Sequence, residues 1–164
     1  VVRYGNVMGS RGSVVPYFKE LKKSEPFPIT DLRMTRFNIT MDQSIDLVLF
    51  ALNNAKGSEI FVPKIPSYQI LDIAKAINPN CKIKVVGIRA GEKIHEELIT
   101  SSDSYFTFDI GNCFAIINPS NELILKYYKN NKNFRKVPEG FSFNSSQNKK
   151  KLTIDQLKTL ISKI

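Results

Sequence analysis

The chain has 164 residues, of which 42% are hydrophobic and 24% charged, which excludes a disordered or fibrous protein and indicates about one globular domain. Lys and Arg number 24 against 15 Asp and Glu, so the formal net charge of +9 predicts an anionic partner: nucleic acid, a phosphorylated metabolite or an acidic remainder of a longer chain. One His and two Cys without C-x-x-C spacing exclude a zinc site, and no apolar run is long enough for a transmembrane helix.

The start of the chain, Val1-Val2-Arg3-Tyr4, has the pattern of a strand and lacks both an initiator Met and the apolar core of a signal peptide. Nothing in this segment directs the chain out of the cytoplasm. A globular chain that opens inside a strand is expected to be a piece of something longer. We therefore predict a cytoplasmic fragment of a larger protein.

Short apolar runs bounded by Gly, Pro or Asn predict strands, in chain order, at Val1–Val7, Glu59–Pro63, Lys82–Ile88 and Phe114–Asn118. Apolar residues at helical spacing predict helices at Val14–Leu21, at a largely buried Asp42–Asn54, at Ser67–Ile77 with Ser67 as N-cap, after Gly91, and at Thr153–Ile161. Strands that alternate with helices indicate an α/β fold. Parallel sheets buried on both faces normally have more strands than this chain supplies, so the sheet is expected to be incomplete.

Residues 119–151 differ in composition, because Asn, Lys and Ser dominate and apolar positions are few. This predicts a solvated, flexible connector before the last helix. Tyr128 and Lys132 within it fit Y-x-x-x-K, the proton-transfer pair of short-chain dehydrogenases, but the polar setting argues against that role. The run Lys149–Lys151 is interpreted as solvated charge.

A glycine-rich segment follows the first strand, with Gly5, Gly9 and Gly12 interleaved with Ser10 and Ser13. Ligands of open α/β sheets bind at the carboxyl ends of strands, where glycine lets a backbone approach closely. The spacing is not G-x-G-x-x-G, so this is not a dinucleotide fingerprint. By spacing alone the segment is either a structural turn or a ligand-binding loop.

Two further clusters carry arginines. Arg33 and Arg36 lie in a short polar stretch that leads into apolar residues, which predicts that at least one guanidinium is held against the core, ready for phosphate; pairing with a nearby Asp is the alternative. Arg89 and Glu92 flank a turn at Gly91, where they could clasp a phosphate and a sugar hydroxyl or neutralise each other. The single His of this second cluster is interpreted as a packing or surface residue.

Taken in order, four segments resemble one family: R-Y-G-N-V-x-G-S-R-G-S-V-V-P, I-T-D-x-R-M-T-R-F-x-I-T-x-D, E-I-F-V-P-K-I-P-S and G-I-R-A-G-E-K-I-H-E. The family is that of the inverting, 5-epimerising UDP-N-acetylglucosamine 4,6-dehydratases of pseudaminic acid biosynthesis, among the extended short-chain dehydrogenase/reductases. The resemblance is to their C-terminal half, strong over residues 1–118 and weak beyond. Ala90 departs from it, because the family commonly has Pro there.

The resemblance implies the C-terminal part of an extended Rossmann-type, NAD(P)-binding α/β fold. Residues 1–118 would be the end of the Rossmann sheet with the nucleotide-sugar-binding subdomain, 119–151 the connector and 152–164 the C-terminal helix. The glycine-rich loop and the Tyr-x-x-x-Lys of such enzymes would precede this chain. No catalytic residue and no metal site are therefore expected in it.

The resemblance also implies a role for particular residues. The UDP-sugar substrate would be bound by Asn6, Val14, Thr30, Arg36, Arg89 and Glu92. The cofactor, NADP, would be lined by Val7, Met8, Gly9, Ser10 and Arg11. In the reaction implied, NADP⁺ takes hydride from C4 of the sugar, the C5 proton and water from C6 are lost, and hydride returns to C6 with inversion at C5.

On this interpretation the chain alone is inactive, and it positions substrate for the missing half, with which it forms part of a homo-oligomer. Within the same class, a retaining 4,6-dehydratase or a 4-epimerase of polysaccharide synthesis remains an alternative. A basic nucleic-acid-binding module is the alternative from another class, although the Phe residues lie mostly in core patterns. The cut sheet edge predicts poor solubility of the isolated chain. No membrane partner is expected.

Overall fold

The computed structural model describes residues 1–22 and 24–164, which form two compact units. Unit 1 comprises Val1–Tyr4, Met41–Ile65 and Glu97–Asn144, and unit 2 comprises Gly5–Thr40, Pro66–Glu96 and Ser145–Ile164. The strands of the described residues are β1 (Asn6–Val7), β2 (Phe27–Ile29), β3 (Thr35–Ile39), β4 (Ile60–Pro63), β5 (Ser67–Gln69), β6 (Ile83–Val85), β7 (Glu97–Ile99), β8 (Thr107–Asp109), β9 (Cys113–Ile116), β10 (Arg135–Lys136) and β11 (Phe143–Asn144). The helices are α1 (Val14–Glu20), α2 (Met41–Asn54), α3 (Ile70–Ile77), α4 (Glu122–Asn130) and α5 (Ile154–Ile161), with a 3-10 turn at Asp103–Phe106.

Unit 1 is built on an antiparallel sheet in the order β10-β8-β9-β4. Val2 adds a parallel bridge to Phe61 of β4, and β7 pairs with β11 beside the main sheet. The core lies between this sheet and the inner faces of α2 and α4, where Leu47, Phe61 and Tyr128 are buried. The alternating apolar residues of the strands supply one side of this core.

In its described residues, unit 2 combines two small sheets with three helices. In the first sheet β1 runs parallel to β3, and β5 runs antiparallel to β3; in the second β2 runs parallel to β6. The apolar faces of α1, α3 and α5 meet in one core that includes Phe18, Ile73 and Leu157. At the start of α5, Thr153 and Gln156 form a capping box, as the predicted N-cap required.

Several predicted elements need correction. Ser67 is not an N-cap: it lies in β5 and α3 begins at Ile70, because the residues before the helix pair with β3. The segment directly after Gly91 is not the predicted helix, because β3 holds it in place: the Thr35 N–H donates to the Ile94 carbonyl at 3.0 Å. The Val1–Val7 strand is divided at Gly5 between the two units.

The segment 119–151 is not the flexible connector that its composition predicted. It contains α4, β10 and β11, and it buries Ile124, Tyr128, Val137 and Ser145. The Asn121 side chain caps α4 by accepting the Ile124 N–H at 3.2 Å. A few apolar side chains at helical spacing are enough to anchor an otherwise polar helix.

The helix α2 has the predicted bounds to within one residue but not the predicted burial. Leu47 and Ala51 are buried, whereas Ile45, Leu49 and Leu52 are about half exposed or more. The outer face of α2 is therefore apolar and uncovered in unit 1. Among the described residues no helix is both long and apolar enough to cross a membrane.

Candidate functional site in unit 2

A cleft of about 190 Å³ opens in unit 2 at the end of β1. Its walls come from β1 and the following loop, from the start of α1, and from residues around β2, β3 and β5. The predicted site residues that line it are Asn6, Val7, Met8, Gly9, Val14, Thr30, Arg36 and Glu92. Three predicted residues, Ser10, Arg11 and Arg89, are not among its lining residues.

The glycine-rich loop is shaped by tight turns and close packing. The Ser10 N–H donates to the Val7 carbonyl at 3.2 Å, and Gly9 has a φ of +76°, a conformation that favours glycine. At Gly5 a Cβ would lie 2.5 Å from the Cβ of Phe37, so only glycine lets the chain pass β3 here. The loop is therefore a structural turn whose backbone also forms a cleft wall, and the two alternatives do not exclude each other.

Arg36 lies in β3 and its side chain is 12% exposed. Its Nη1 donates to the carbonyls of Thr35 at 2.8 Å and Ile94 at 3.1 Å, and Nη2 donates to the sulfur of Met34 at 3.1 Å. The guanidinium is thus fixed at the cleft wall by protein acceptors on one side. This fulfils the prediction that one arginine is held against the core.

Arg33 takes the other of the two predicted arrangements. Its side chain is 70% exposed, and Nη2 pairs with Asp31 Oδ2 at 2.7 Å. The hydrogen bonds from the Arg33 side chain and backbone lower the pKa of Asp31 to about 2. The two arginines, three residues apart, therefore differ because β3 turns one inward while the other stays on the surface.

Glu92 and Thr30 form a hydrogen-bonding pair at the cleft. The Thr30 hydroxyl donates to Glu92 Oε1 at 3.3 Å, and the same oxygen lies 3.9 Å from Arg36 Nη2. The Arg89 backbone N–H donates to Glu92 Oε2 at 3.3 Å, whereas residue Arg89 itself is exposed. Glu92 is therefore held by the backbone of the turn and not by the Arg89 guanidinium, which corrects the alternative that the two side chains neutralise each other.

Glu96 is a charged neighbour of the cleft that sequence reasoning missed. Its Oε1 lies 3.5 Å from Arg36 Nε, and the Asn6 amide, with Nδ2 turned toward it, donates to Oε2 at 3.2 Å and to Oε1 at 3.3 Å. Burial raises the pKa of Glu96 more than the attraction of Arg36 lowers it. The sequence could have pointed to Glu96, because it is the acidic last residue of the segment G-I-R-A-G-E-K-I-H-E and follows His95.

A buried hydrogen-bond network holds the backbone of Glu96. The Ser145 hydroxyl accepts the Glu96 N–H at 2.9 Å, and the Ser145 N–H donates to the Glu96 carbonyl at 2.8 Å. Ser145 Oγ also lies 2.7 Å from Thr35 Oγ1, which in turn contacts His95 Nδ1 at 2.8 Å. His95 is therefore a packing residue in a loop, and the network ties the acidic segment to β3.

Tyr68 is a further titratable residue of the cleft. Tyr68, directly opposite Arg36 in the β3–β5 pair, lines the cleft, and its burial raises the pKa of the hydroxyl well above its usual value. Over residues 1–22 and 24–164 no group of three or more His, Cys, Asp or Glu is arranged to hold a metal ion. The side chains that line the cleft offer hydrogen bonds and charge, centred on Arg36.

Comparison with known proteins assigns the chain that forms this cleft to a family. Residues 1–118 match the family described as "Polysaccharide biosynthesis protein". The chain belongs to this family. The match covers the whole cleft-lining set and ends at the residue where the sequence-based division placed its first boundary.

Two relatives of this family member carry informative names. The chain is 46% identical over 159 residues to the UDP-N-acetylglucosamine 4,6-dehydratase (inverting) of Campylobacter jejuni, which covers 90% of this chain and 46% of that protein. It is 36% identical over 167 aligned positions to the UDP-glucose 4-epimerase of Rickettsia bellii, which covers 98% of this chain and 48% of that protein. The first likeness confirms the predicted resemblance. The chain spans about half the length of the curated relatives it matches.

A solved structure supports the fold of this polysaccharide biosynthesis family member. The X-ray structure of Pen from Bacillus thuringiensis matches with a TM-score of 0.82 and 33% identity, over 99% of this chain and 49% of that chain. This confirms the predicted α/β class, part of a Rossmann-type fold.

The Y-x-x-x-K match at Tyr128 has a structural explanation in this chain. Tyr128 lies on α4, an amphipathic helix and not the polar surface tract that was predicted. Its ring packs against Phe108 with 5.6 Å between centroids, and its hydroxyl bonds to the buried Glu59. Burial raises the pKa of Tyr128, so the residue serves the core of unit 1.

Proposed function

We propose that the chain is the nucleotide-sugar-binding half of a UDP-N-acetylglucosamine 4,6-dehydratase that inverts C5, and that the cleft of unit 2 takes the UDP diphosphate. The observation that carries this proposal is the nearly buried guanidinium of Arg36 in a cleft of a chain 46% identical to such a dehydratase. Arginine is rarely buried without an anion to bind, and its planar fork suits bidentate contact with phosphate.

The remaining predicted substrate residues fit around the diphosphate. Thr30 and Glu92, already hydrogen-bonded to each other, offer a hydroxyl and a carboxylate to the ribose hydroxyls. Asn6 at the end of β1 offers its amide to the phosphate or the sugar, and Val14 at the start of α1 offers an apolar contact. Arg89, exposed beside the cleft, would close over the phosphates, so its role requires the turn at Gly91 to move inward.

The residues of the glycine-rich loop fit one wall of a nicotinamide site. Val7, Met8 and Gly9 line the cleft with apolar side chains and open backbone, while Ser10 and Arg11 follow in the loop and do not line it. In our proposal the cofactor is NADP, which would supply hydride transfer between C4 and C6 of the sugar. This chain would orient the nicotinamide and exclude water from one side of it, with the phosphate-binding loop elsewhere in the longer protein.

In this scheme the contribution of the chain to catalysis is binding energy. Contacts to the remote UDP group hold the sugar ring in place against the cofactor, and such positioning raises the rate of the chemical step. The acid and base residues would lie in the other half of the longer enzyme, a cytoplasmic homo-oligomer of pseudaminic acid biosynthesis. Residues 1–118 would carry the sheet end and sugar site, and 119–164 would support them.

Calorimetric titration of this 164-residue chain with UDP-N-acetylglucosamine tests the binding role. Arg36→Ala should weaken binding by about 10- to 100-fold, because a charge-assisted hydrogen bond contributes roughly 1.5–3 kcal/mol. Arg33→Ala is the matched control: it removes an exposed guanidinium paired with Asp31, so affinity should stay within about twofold. Equal losses in the two variants, or no binding by the wild-type chain, would contradict the proposal.

A UDP-sugar 4-epimerase is the second candidate, favoured by the 36% identity to the Rickettsia bellii protein. The product formed by a longer protein that contains this chain separates the two. The dehydratase releases a 4-keto-6-deoxy sugar, whereas an epimerase returns the 4-epimer with C6 still hydroxylated. The configuration at C5 of a 4-keto product then separates inversion from retention.

A further inference from the structure

We propose that Glu96 takes up a proton when the diphosphate of a UDP-sugar binds beside Arg36, and releases it when the ligand leaves. This inference rests on the proposed function, since it assigns a coupled proton to the same cleft. The proton comes from the buffer and returns to it, so no other reactant is required. The observations that carry the inference are the loosely paired Nε and Nη2 of the Arg36 guanidinium, the charges around them, and the fixed position of Glu96.

The Arg36 guanidinium leaves only one side for an anion. The two hydrogens of Nη1 are directed at the carbonyls of Thr35 and Ile94 at 2.8 and 3.1 Å. The other side, formed by Nε and Nη2, has long ion pairs at 3.5 Å to Glu96 Oε1 and 3.9 Å to Glu92 Oε1, and Nη2 uses one of its two hydrogens on the Met34 sulfur at 3.1 Å. A phosphate that contacts Arg36 in bidentate fashion therefore uses Nε and Nη2, and its oxygens arrive where the carboxylates now lie.

The charges at this position oppose a second anion. With one guanidinium and two carboxylates, Arg36, Glu92 and Glu96 sum to −1 before any ligand arrives. Like charges held this close together at a partly buried site repel each other more strongly than they would in water. At least one carboxylate must therefore move away or become neutral for the diphosphate to bind.

The two carboxylates differ in how they can respond. Glu92 lies on an exposed turn, where it accepts from Thr30 Oγ1 and the Arg89 N–H at 3.3 Å each, so it can rotate toward the ribose. Glu96 has its N–H and its carbonyl both bonded to Ser145, and its carboxylate accepts from the Asn6 amide and the Phe37 N–H. Because Glu96 cannot easily leave, protonation is its way to relieve the repulsion.

The surroundings of Glu96 already raise the pKa of its carboxyl above the ordinary value for Glu. Burial raises its pKa, while Arg36 and the Phe37 N–H on β3, and then Lys93 on its own segment, lower it. Tyr68 on β5 faces the same carboxylate and stays neutral, since Glu96 adds to the burial that raises the pKa of its hydroxyl. A phosphate bound at Nε and Nη2 of Arg36 competes for the charge that stabilises ionised Glu96, and it raises the pKa of Glu96 further.

Calorimetry in several buffers measures the coupled proton directly. The 164-residue chain is titrated with UDP-N-acetylglucosamine, whose diphosphate diester does not itself titrate near neutral pH, in PIPES, HEPES and Tris. The observed enthalpy should vary with buffer ionisation enthalpy by a slope that corresponds to uptake of up to one proton, and wild-type affinity should fall by up to about tenfold per pH unit above neutrality.

Two isosteric variants assign the proton. Glu96→Gln should abolish the buffer dependence and make affinity independent of pH. Glu97→Gln removes the next carboxylate along the chain, which is exposed and lies in β7, so uptake should persist. Carboxyl-carbon NMR of the wild-type chain with and without the ligand reports the protonation of Glu96 without any substitution.

The possible failures are distinguishable. Binding with no buffer dependence, or with uptake that persists in Glu96→Gln, overturns the proton inference while the nucleotide-sugar site stands. Absence of any binding to the wild-type chain overturns the proposed function and this inference together. Uptake that is lost in Glu97→Gln but kept in Glu96→Gln also overturns the assignment to Glu96.

Discussion

Two carboxylates, one in each unit, have opposite kinds of contacts. Glu59 in unit 1 is 1% exposed and accepts the N–H groups of Lys56 at 2.8 Å and Gly57 at 2.7 Å together with the Tyr128 hydroxyl. Glu96 in unit 2 borders an open cleft, and its ion pair to Arg36 is 3.5 Å long. The saturated carboxylate serves folding, whereas the loosely paired one is available to a ligand.

The difference teaches how to separate structural from functional charge in a single chain. A buried charge costs several kcal/mol unless the protein supplies its partners, so a structural charge has short, complete contacts. A charge that must accommodate a ligand has to leave some of its contacts long. By this criterion the contacts of Glu59 are complete, while those of Arg36 and Glu96 are not.

The largest expected effect is at Glu59, and it tests the structural side of the comparison. Glu59→Gln places an amide donor against a backbone donor and removes the charge that both N–H groups bind, so the free energy of unfolding should fall by about 3 kcal/mol. Urea denaturation followed by circular dichroism measures this. Glu97→Gln, at an exposed carboxylate, is the control and should change stability by less than about 0.5 kcal/mol. If Glu59→Gln lowered the free energy of unfolding no more than Glu97→Gln does, the contrast between Glu59 and Glu96 would not hold.

Much of the fold was predictable because hydrophobic periodicity is a local property. The bounds of α2 and the capping of α5 by Thr153 follow from such patterns. The start of α3 was wrong because Ser67 pairs with β3, a tertiary contact that overrides the local capping preference. The exposed face of α2 was missed for a related reason, since an apolar pattern shows which residues prefer burial but not whether a partner covers them.

The candidate site was predictable only where motif spacing carried it. Arg36 was singled out because its polar stretch leads into apolar residues, and Glu92 because it flanks the turn at Gly91. Thr30 came only from the family resemblance, and the three residues meet in one cleft. Glu96 was missed because its importance depends on two neighbours distant in sequence, Asn6 and Arg36. Ser145 was missed for the same reason: it is buried by contacts distant in sequence, although it lies in a segment whose composition resembles a linker.

A smaller effect is expected at Ser145, whose hydroxyl and backbone N–H bond to the backbone of Glu96. Ser145→Ala removes the hydroxyl that accepts the Glu96 N–H and contacts the Thr35 hydroxyl, so unfolding free energy should fall by about 2 kcal/mol. Affinity for UDP-N-acetylglucosamine should fall by about three- to tenfold, because Glu96 and the Ile94 carbonyl then hold Arg36 less firmly. Calorimetry and urea denaturation of the same variant give both numbers. Ser146→Ala, at the neighbouring serine, is the control, and equal effects of the two substitutions would show that the network does not position the site.

The smallest effects concern pH, where a paired acid in unit 1 and Glu96 should behave oppositely. Burial raises the pKa of Asp103, but hydrogen bonds from Thr100 and from Arg3, whose Nη1 is 3.0 Å away, outweigh it and lower the pKa below its usual 3.8. The native state then binds fewer protons than the unfolded state, so this contribution is present above about pH 4 and is lost as pH falls through the native pKa. Asp103→Asn should cost about 1 kcal/mol at neutral pH and flatten the acid limb of the stability curve.

Glu96 has the reverse sign, because its native pKa lies above its usual 4.5. Between these two values the native state binds more protons than the unfolded state, so unfolding free energy falls as pH rises from about 4.5 through the native pKa. Glu96→Gln should remove that fall and leave stability at neutral pH unchanged or higher by less than about 1 kcal/mol, despite the loss of an ion pair. Urea midpoints of wild type and both variants between about pH 3 and pH 8 show the two slopes. If Glu96→Gln lost stability at neutral pH as Asp103→Asn does, Glu96 would be a structural acid like Glu59, and its long contact with Arg36 would have no bearing on ligand binding.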